Sequence, residues 1–569
     1  MMRRFGKILW VIGVLALFGA ASWSVASEPG GRRFRIPKRS AVRLQAFKAD
    51  PPEVALGERL FLETRFAQFF FAHCGGNVNT VLAQGDPVLD ESRSRSHSLP
   101  GPFRGLSMNC RACHLVAEQS SLGRGNRSYA DYAARSPIPL REDGRTLTVR
   151  NSPPIVNALI AREGATFLHD DGEFPSGAEL VKGTFTGRNF GWLASERAQA
   201  LQHIAQVVRG DDGKGDLAKE FGGYPYREVF AGKSTIEEDY FIPEEFRLDV
   251  LKATDEEVLE AIARGVEAYM QSLRYSRDSQ REYDSSPYDV FLEKNKLPRK
   301  RSPGQSASYY VRNLLTLLDD LKEPRFVTPA DKCFKTLNQD FRFGPTELAG
   351  LRVFFMRPST GPRPVPAGQS VGNCVACHTP PHFTDFAFHN TGASQDEYDR
   401  MHGSGSFAKL FIPGFTERQT NFDAWLPPTF DHPLGKSTLC EIPAQAFPER
   451  ADLGLWNIFA NPDQSSVQPA LARLLIGDRR PQPPEVLLPR TIGLFKTPTL
   501  RGLGHSDPYL HTGSSATLEE VVRFYLKMSS LARSGSLRNG APELAEMRIR
   551  DDDVESLAAF LRALNEDYE

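Results

Sequence analysis

The chain has 569 residues, of which 40% are hydrophobic and 24% are charged, so its composition is that of a folded globular protein and excludes disorder. Lys and Arg total 69 against 70 Asp and Glu, and the formal net charge of −1 offers no basic surplus for nucleic acid or anionic lipid. Seven cysteines are too few for a disulfide scaffold, and their odd number means that pairing cannot account for all of them.

The N-terminus has the layout of a secretory signal peptide. A basic start precedes the apolar run Ile8–Trp23, and small residues follow it up to Ala26. We predict cleavage before Ser27, which gives a signal peptide at 1–26 and a polar tether at 27–49. A single N-terminal membrane anchor is the alternative, because the apolar run approaches the length of a short span. No later segment is apolar for long enough to cross a bilayer, so we expect a periplasmic or secreted protein with no stable membrane span.

Apolar spacing typical of amphipathic helices recurs along the rest of the chain, while strand signals are few and short. Gly (46) and Pro (41) supply many loops, and 281–342 reads as a linker or insert. We predict a mainly α, loop-rich protein with few short strands and with domains at 50–280 and 343–569. Its helices are predicted at Val54–Leu62, Glu196–Arg209, Thr254–Leu273 and Asp551–Leu564, and from Gly344 onward.

The same five-residue motif occurs once in each predicted domain. Cys110-Arg-Ala-Cys113-His114 and Cys374-Val-Ala-Cys377-His378 are both C-x-x-C-H. In this motif two thiols attach covalently to haem and the adjacent histidine binds the iron. A dithiol redox site does not require the histidine, and a zinc site would need further Cys or His at matching spacing. We therefore predict two covalently bound haem c groups, one in each cytochrome c-like domain, with His114 and His378 as iron ligands.

The sixth ligand of each iron decides what the haem does, since an open position allows peroxide or dioxygen to bind. No histidine lies between His114 and His169, and the first domain has only Met108 and Met270 after the signal peptide. We therefore expect the first haem to be open on its distal side.

Several strings around the two motifs resemble the bacterial di-haem cytochrome c peroxidases and MauG, the enzyme that matures methylamine dehydrogenase. The resemblance covers about residues 50–569, with extra sequence near 66–108, 280–342 and 395–490. The strings are VRNSPPIVN from Val149, FTDFAFHNTG from Phe383, FKTPTLR from Phe495, PYLHTG from Pro508 and TLEEVV from Thr517.

The resemblance implies that the first haem reacts with substrate and that the second transfers electrons. The distal ligand of the second iron corresponds to Tyr525, as in MauG, where the peroxidases have Met. A phenolate is a hard anionic ligand that favours oxidised iron. Alternatively, Tyr525 is a packing residue, and Met528, one turn further, competes for the iron.

The resemblance also implies a calcium ion between the haems. The positions that correspond to its ligands are Asn151, Ser506 and Pro508, and oxygen ligands of this kind suit a hard cation. The alternative is that Asn151 only makes a turn before Pro153.

The chain departs from the family at three functional positions. Asp170 stands where the family has a Trp between the haems, and Leu180 and Phe190 stand where the peroxidases have their distal Gln and Glu. Leu and Phe cannot transfer the proton that peroxide cleavage needs. The candidate substitutes are His169, Asp171 and Arg188, with Glu173 nearby. Trp192 is either a replacement electron relay or a core residue.

The leading hypothesis is an exported di-haem oxidoreductase that reacts with hydrogen peroxide or O2 and exchanges electrons with a cytochrome c, a copper protein or a protein substrate. A haem-based oxygenase of an organic substrate and a pure electron-transfer cytochrome are the alternatives. Four cysteines are assigned to haem, so Cys74, Cys333 and Cys440 can form at most one disulfide.

Overall fold

The computed structural model describes residues 50–89, 91–93, 98–100, 107–114, 135–160, 166–335, 337–358, 368–477 and 480–567. All of them lie within one compact unit, Pro37–Glu569. The predicted signal peptide and tether fall outside the described residues. Within the described ranges, no helix has both the length and the apolar character that crossing a membrane requires.

The fold is mainly helical, which confirms the predicted fold class. Up to residue 280 the α-helices are Pro52–Phe61, Gln68–His73, Gly177–Phe185, Arg197–Gly210, Asp216–Glu220, Tyr226–Ala231 and Asp255–Ser272. Beyond it they are Pro287–Lys294, Ala307–Asp319, Pro345–Phe355, Ala393–His402, Phe415–Thr420, Phe422–Trp425, Gln468–Ile476, Pro484–Leu487, Leu518–Arg533, Pro542–Glu546 and Val554–Arg562. The strands form two short antiparallel pairs, Glu91–Arg93 with Ser98–Pro100 and Phe388–His389 with Phe495–Lys496.

The helix predicted at Thr254–Leu273 begins where its cap predicts. The Thr254 hydroxyl accepts a hydrogen bond from the Glu257 amide at 3.3 Å, and the Glu257 carboxylate accepts one from the Thr254 amide at 2.7 Å. This reciprocal pair satisfies two amides that the first helical turn leaves free.

In the first half, helix Pro52–Phe61 crosses helix Asp255–Ser272 at Gly57. A Cβ atom on Gly57 would lie 2.0 Å from the Gly265 carbonyl oxygen, so only glycine permits this approach. Next to the crossing, the rings of Phe61 and Tyr269 are 5.2 Å apart. The contact joins Pro52–Phe61 to Asp255–Ser272 across the first core.

The second half repeats this arrangement. Gly350, on the helix before the second motif, faces the final helix, and a Cβ atom there would lie 1.9 Å from the Ser556 carbonyl oxygen. The rings of Phe354 and Phe560 are 5.1 Å apart beside it. Each half is therefore built on one close helix crossing.

The segment predicted as a linker or insert, 281–342, contains two helices. The Ser286 hydroxyl accepts from the Asp289 amide at 3.2 Å and caps the first of them. Tyr288 and Phe291 on that helix are 1% and 0% exposed, and the ring of Phe291 stacks on Phe343 at 4.1 Å. This part of the chain therefore belongs to the second core.

The extra sequence at 395–490 builds a third core around Trp456. Arg418 is fully buried there and donates hydrogen bonds to the carbonyls of Trp456 and Phe459, at 2.5 and 2.7 Å. The core includes Phe167 from the first half, whose ring meets Phe388 at 5.6 Å. The insert is therefore packed against the loop that leads to His169.

Candidate active site with two haem-binding motifs

The first C-x-x-C-H motif forms a short 3-10 turn, Cys110–Ala112, fixed by Asn109. The Asn109 side chain accepts from the Ala112 amide at 3.1 Å and donates to the Leu62 carbonyl at 3.2 Å. The amide of His114 donates to the Cys110 carbonyl at 3.0 Å. Asn109 therefore ties the turn to the end of the helix that crosses at Gly57.

The ring of His114 is oriented by the backbone. Its Nδ1 atom lies 2.9 Å from the Pro153 carbonyl oxygen, which can only accept a hydrogen bond. Nδ1 therefore carries the proton and Nε2 is left as a ligand atom, the arrangement that metal-binding histidines adopt. Desolvation lowers the pKa of His114 to about 4, which keeps the ring neutral.

The second motif has the same geometry. Cys374–Ala376 is again a 3-10 turn, and the His378 amide donates to the Cys374 carbonyl at 2.8 Å. His378 Nδ1 lies 3.0 Å from the Phe383 carbonyl oxygen, and desolvation lowers the pKa of this histidine as well. In both predicted iron ligands, the proton on Nδ1 thus leaves Nε2 as the atom suited to bind iron.

A cavity of about 400 Å³ contains the first motif, a volume typical of small-molecule and cofactor pockets. Apolar side chains form one wall, and Met108 and Met270, 1% and 5% exposed, both line it. The other apolar residues of this wall are Leu180, Val181, Phe185, Phe190 and Val266. The insert at 395–490 contributes Pro427, Pro428, Thr429, Cys440, Ile458, Asn461 and Gln464.

Among the predicted acid–base candidates, Asp171 is held by Arg150. Arg150 Nη1 donates to Asp171 at 2.6 Å, while its Nε and Nη2 atoms donate to Asp452 at 2.6 and 2.8 Å. The two carboxylates hold the pKa of Arg150 well above its ordinary value despite burial, which opposes the charge. Asp171 is therefore held in an ion-pair cluster in which it shares Arg150 with Asp452.

Arg188 is also engaged. It donates to both carboxylate oxygens of Asp143, at 2.6 and 2.8 Å, and to the Arg145 carbonyl at 2.9 Å. Its Nη1 atom is buried and has no hydrogen-bond partner among the described residues, so this group can donate to a ligand in the cavity that Arg188 lines.

His169 and Glu173 form a pair at the same cavity. His169 Nδ1 lies 3.1 Å from Glu173 Oε2, and both side chains are about one-third exposed. Burial lowers the pKa of His169, but the hydrogen bond and charge of Glu173 outweigh it and raise the pKa above 6.5. This pair can hold and release a proton.

Asp170, which stands where the family has a Trp, and Trp192, the candidate replacement relay, lie in different surroundings. Asp170 lines the cavity and burial raises its pKa, while its carbonyl accepts from the Lys496 amide at 2.7 Å. Trp192 is fully buried in the first core and donates from its indole to the Phe66 carbonyl at 3.1 Å. Trp192 is therefore a core residue.

Tyr525 lies beside the second motif. It packs in a small core with Cys374, and its pKa is raised by burial and by the nearby sulfurs of Cys377 and Cys374. Its hydroxyl makes no hydrogen bond within the described part of the chain. Met528 is instead fully buried in that core, and a Cβ atom on Gly392 would lie 2.6 Å from its sulfur.

Two of the three predicted calcium ligands lie together. The Asn151 amide group donates to the Pro508 carbonyl, and the Asn151 backbone amide donates to the His511 carbonyl at 2.7 Å. Within the described part of the chain, Asn151 Oδ1 is buried without a hydrogen-bond partner. The Ser506 hydroxyl donates to the Leu503 carbonyl at 3.3 Å.

All seven cysteines lie in the described ranges, and none of them forms a disulfide. Cys74 is buried, Cys333 is exposed and Cys440 is half-buried. Cys440 lies 3.9 Å from Arg150 Nη2, and burial raises the pKa of its thiol to about 12.

Sequence reasoning missed Asn109 and Arg150. The sequence does carry a signal for Asn109, because an asparagine directly precedes each of the two motifs, as Asn109 and Asn373. The second asparagine has a left-handed φ of 52° and donates to the Glu543 carbonyl at 3.1 Å. Nothing local marks Arg150, because its partner Asp452 is far away in the chain.

The fold and site define a helical protein with two histidine-bearing C-x-x-C-H turns, and comparisons with known proteins agree with this class. No protein-family model matches the chain. A stretch of 77 residues is 36% identical to the cytochrome-c peroxidase IdrP1 of Denitromonas iodatirespirans, covering 14% of this chain and 19% of that protein. The protein of the same name from Pseudomonas sp. (strain SCT) is 33% identical over 78 residues, with the same coverage. These names confirm the resemblance drawn from the motifs, although the chain spans only 19% of each relative.

Similar solved structures include two proteins of this kind. The diheme peroxidase BthA from Burkholderia thailandensis E264 has a TM-score of 0.41 at 16% identity, with 92% of this chain and 87% of that chain covered. A MauG-like protein associated with microbial copper homeostasis has a TM-score of 0.41 at 15% identity, with 96% of each chain covered.

Proposed function

We propose that the protein is an exported di-haem c-type oxidoreductase that reacts with hydrogen peroxide or O2 at the first haem and passes electrons through the second. One observation carries the proposal. In both C-x-x-C-H turns the histidine donates Nδ1–H to a backbone carbonyl and leaves Nε2 for iron, at 2.9 Å for His114 and 3.0 Å for His378.

The residues of both motifs suit haem c. Cys110 and Cys113 would hold the first haem and Cys374 and Cys377 the second, with thioether bonds to the ring. Haem supplies redox chemistry at iron whose outcome depends on the distal pocket. The cavity of about 400 Å³ beside His114 supports the first haem as the reactive one.

Proton transfer at the first haem is assigned to His169 with Glu173 as its partner. Peroxide cleavage needs a group that takes a proton from one oxygen and delivers it to the other. Asp171 is engaged by Arg150, and Arg188 cannot lose its proton, so His169 is the candidate whose side chain has a proton-sharing partner at the cavity. The free Nη1 donor of Arg188 would instead orient bound peroxide or O2.

The second iron is assigned Tyr525 as its distal ligand. Its hydroxyl lies near both cysteine sulfurs of the second motif and has no competing hydrogen bond among the described residues. The Met528 side chain instead packs in the core against Gly392.

A calcium ion at Asn151 and Pro508 forms part of the proposal. The orphaned Asn151 Oδ1 atom fits such an ion, since a buried polar atom without a partner calls for an ion or a water molecule. Ser506 would contribute through its backbone.

Export and partners follow from the same hypothesis. The N-terminal signal sequence would direct the chain to the periplasm, where c-type haem is attached, and cleavage would leave residues from Ser27 onward. The electron partner would be a small cytochrome c, a copper protein or an oxidisable protein substrate. No nucleic acid is expected, given a net charge of −1.

Haem counting and spectroscopy test the proposal. The pyridine haemochrome assay on the purified protein should give two haem c per chain, and Cys110→Ser with Cys113→Ser should remove one of them. Electron paramagnetic resonance of the ferric protein should show one high-spin and one low-spin iron. Peroxide with a reduced small cytochrome should then give turnover. Two low-spin signals that peroxide does not change would overturn the enzymatic proposal.

Two other functions have support from specific observations. An electron carrier is favoured by Met270, because its side chain lines the first cavity and its sulfur could occupy the sixth coordination position of the first iron. Met270→Leu distinguishes an electron carrier from an enzyme, because it changes the spectrum of the first haem only if the sulfur is a ligand.

An oxygenase of organic substrates is favoured by Leu180 and Phe190, which make the wall of the first cavity apolar.

A further inference from the structure

Two threonine hydroxyls join the loop after the second motif to the wall of the first cavity. Thr384 donates to the Thr497 carbonyl at 2.7 Å, and Thr499 donates to the His382 carbonyl at 2.7 Å. The two bonds are reciprocal, since each runs from one segment to the other. We call this pair of hydrogen bonds the threonine clamp.

Both hydroxyls are also held by their own segments. Thr384 accepts from the Phe386 amide at 2.9 Å, and Thr499 accepts from the Arg501 amide at 3.2 Å. Each hydroxyl proton therefore points across to the other segment. Thr384 is 5% exposed, so this geometry is shielded from water.

The clamp lies between the two motifs. On one side, the Phe383 carbonyl accepts from His378 Nδ1 at 3.0 Å, and Phe383 stands between His382 and Thr384 in the chain. On the other side, Thr497 and Thr499 line the cavity that contains His114. Thr384 lines this cavity too, so the hydrogen bond to Phe383 connects the ring of His378 to the cavity wall, and the clamp bond joins Thr384 to Thr497 within that wall.

The segment that carries Lys496 and Thr497 is fixed to both halves. The Lys496 amide donates to the Asp170 carbonyl at 2.7 Å, and the Thr497 amide donates to the Ala387 carbonyl at 2.8 Å. Asp170 is the position at which the resemblance implies a Trp between the haems. The chain therefore has a hydrogen-bonded connection in the region where the aromatic one is missing.

We propose that Thr384 and Thr499 are positioning residues for electron transfer between the two haems, and that their hydroxyls couple His378 to the wall of the first cavity. This inference rests on the proposed function. One electron lost at the iron bound by His378 is gained at the iron bound by His114, and no bond is broken. A hydrogen bond at 2.7 Å brings two atoms closer than van der Waals contact at about 3.5–4.0 Å, so it couples them better.

The test uses the full-length protein with both haems bound. Pulse radiolysis places one electron on the chain, and transient absorption records how fast it moves from one haem to the other. Spectroelectrochemistry gives the midpoint potential of each haem, so the driving force is known independently of turnover. The variants are Thr384→Val, Thr499→Val and the double variant, because Val keeps the shape of Thr and removes the hydroxyl.

Two controls accompany them. Thr384→Ser retains the hydroxyl and should retain the parental rate. Thr491 is fully buried and donates to the Leu488 carbonyl at 2.6 Å, but it lies outside the cavity wall. Thr491→Val therefore removes a hydroxyl of the same kind and should leave the rate unchanged.

Each single valine variant should slow the transfer several-fold, and the double variant should be slower than either, with both midpoint potentials unchanged. A parental rate in the double variant would overturn the proposal. The electron would then pass either directly between the haem edges or through the Pro498 carbonyl near His378. A rate change explained fully by shifted potentials would also overturn it. A chain without attached haem would refute the proposed function instead.

Discussion

Asp452 binds Arg150 through both of its carboxylate oxygens, at 2.6 Å from Nε and 2.8 Å from Nη2. The side chains are 4% and 13% exposed, so the pair is largely shielded from water. Arg150 donates a third bond to Asp171 at 2.6 Å. One guanidinium thus ties the insert at 395–490 to the loop that carries His169.

Removing this carboxylate should destabilise the protein. Asp452→Ala leaves a mostly buried guanidinium with one partner fewer, and breaking a buried ion pair in this way costs about 3–5 kcal/mol. Urea unfolding followed by circular dichroism measures the loss. The control is Asp249→Ala, which breaks an exposed ion pair with Lys252 and should change little. Equal effects of the two substitutions would contradict a special role for Asp452.

Replacement of Tyr525 by Phe should change the absorption and paramagnetic resonance spectra of the second haem alone. The phenol oxygen is the proposed ligand, and Phe fills the same space without it. Met528→Leu is the matched control one turn further along the helix, where the sulfur packs against Gly392, and it should leave the spectrum unchanged. A spectral change in the Met528 variant but not in the Tyr525 variant would reverse the assignment.

Glu173→Gln should shift the pH dependence of the reaction with peroxide. Glu173 raises the pKa of His169 above 6.5 in spite of burial, so the variant should have a lower His169 pKa. If neutral His169 accepts the proton, the rate rises with pH through this pKa, and the rise should move to lower pH in the variant. Stopped-flow absorption across pH 5 to 9 measures it. Glu179→Gln removes a carboxylate that pairs with Lys182 of its own helix, Gly177–Phe185, and serves as the control. An unmoved rise would exclude the His169–Glu173 pair.

Glu566→Gln should reduce the dependence of stability on pH. Glu566 is fully buried, and burial raises its pKa from 4.5 to about 8 although Arg501 opposes this. Between these values the folded chain keeps a proton that the unfolded chain releases, so the free energy of unfolding falls as pH rises. The amide has no such proton, and the stability of the variant relative to the parent should increase from pH 5 to pH 8.5. Urea midpoints at the two pH values provide the measurement, with the exposed Glu555→Gln as control. A constant difference would contradict it.

The two motifs and several helices could be read directly from the sequence because their information is local. C-x-x-C-H is five consecutive residues whose spacing carries the chemistry, and the structure turns both copies into the same 3-10 turn. The cap at Thr254 likewise depends on residues three positions apart. The prediction of helices with few short strands followed from apolar spacing of the same short range.

The acid–base candidates could only be named as a group, because tertiary contacts decide between them. Asp171 and Arg188 are next to His169 and Phe190 in the sequence, yet Arg150 and Asp143 engage them in the fold. The chain positions of these partners give no periodic signal.

The sequence by itself determined where the two C-x-x-C-H motifs lie, which histidines are the predicted iron ligands and that the fold is helical, since motif spacing and helical period act over a few residues. The tertiary structure alone decided that Asp452 holds Arg150, that Thr384 meets Thr497 and that the insert lines the first cavity. Those contacts join residues far apart in the chain, and they form only once burial has removed water from between them.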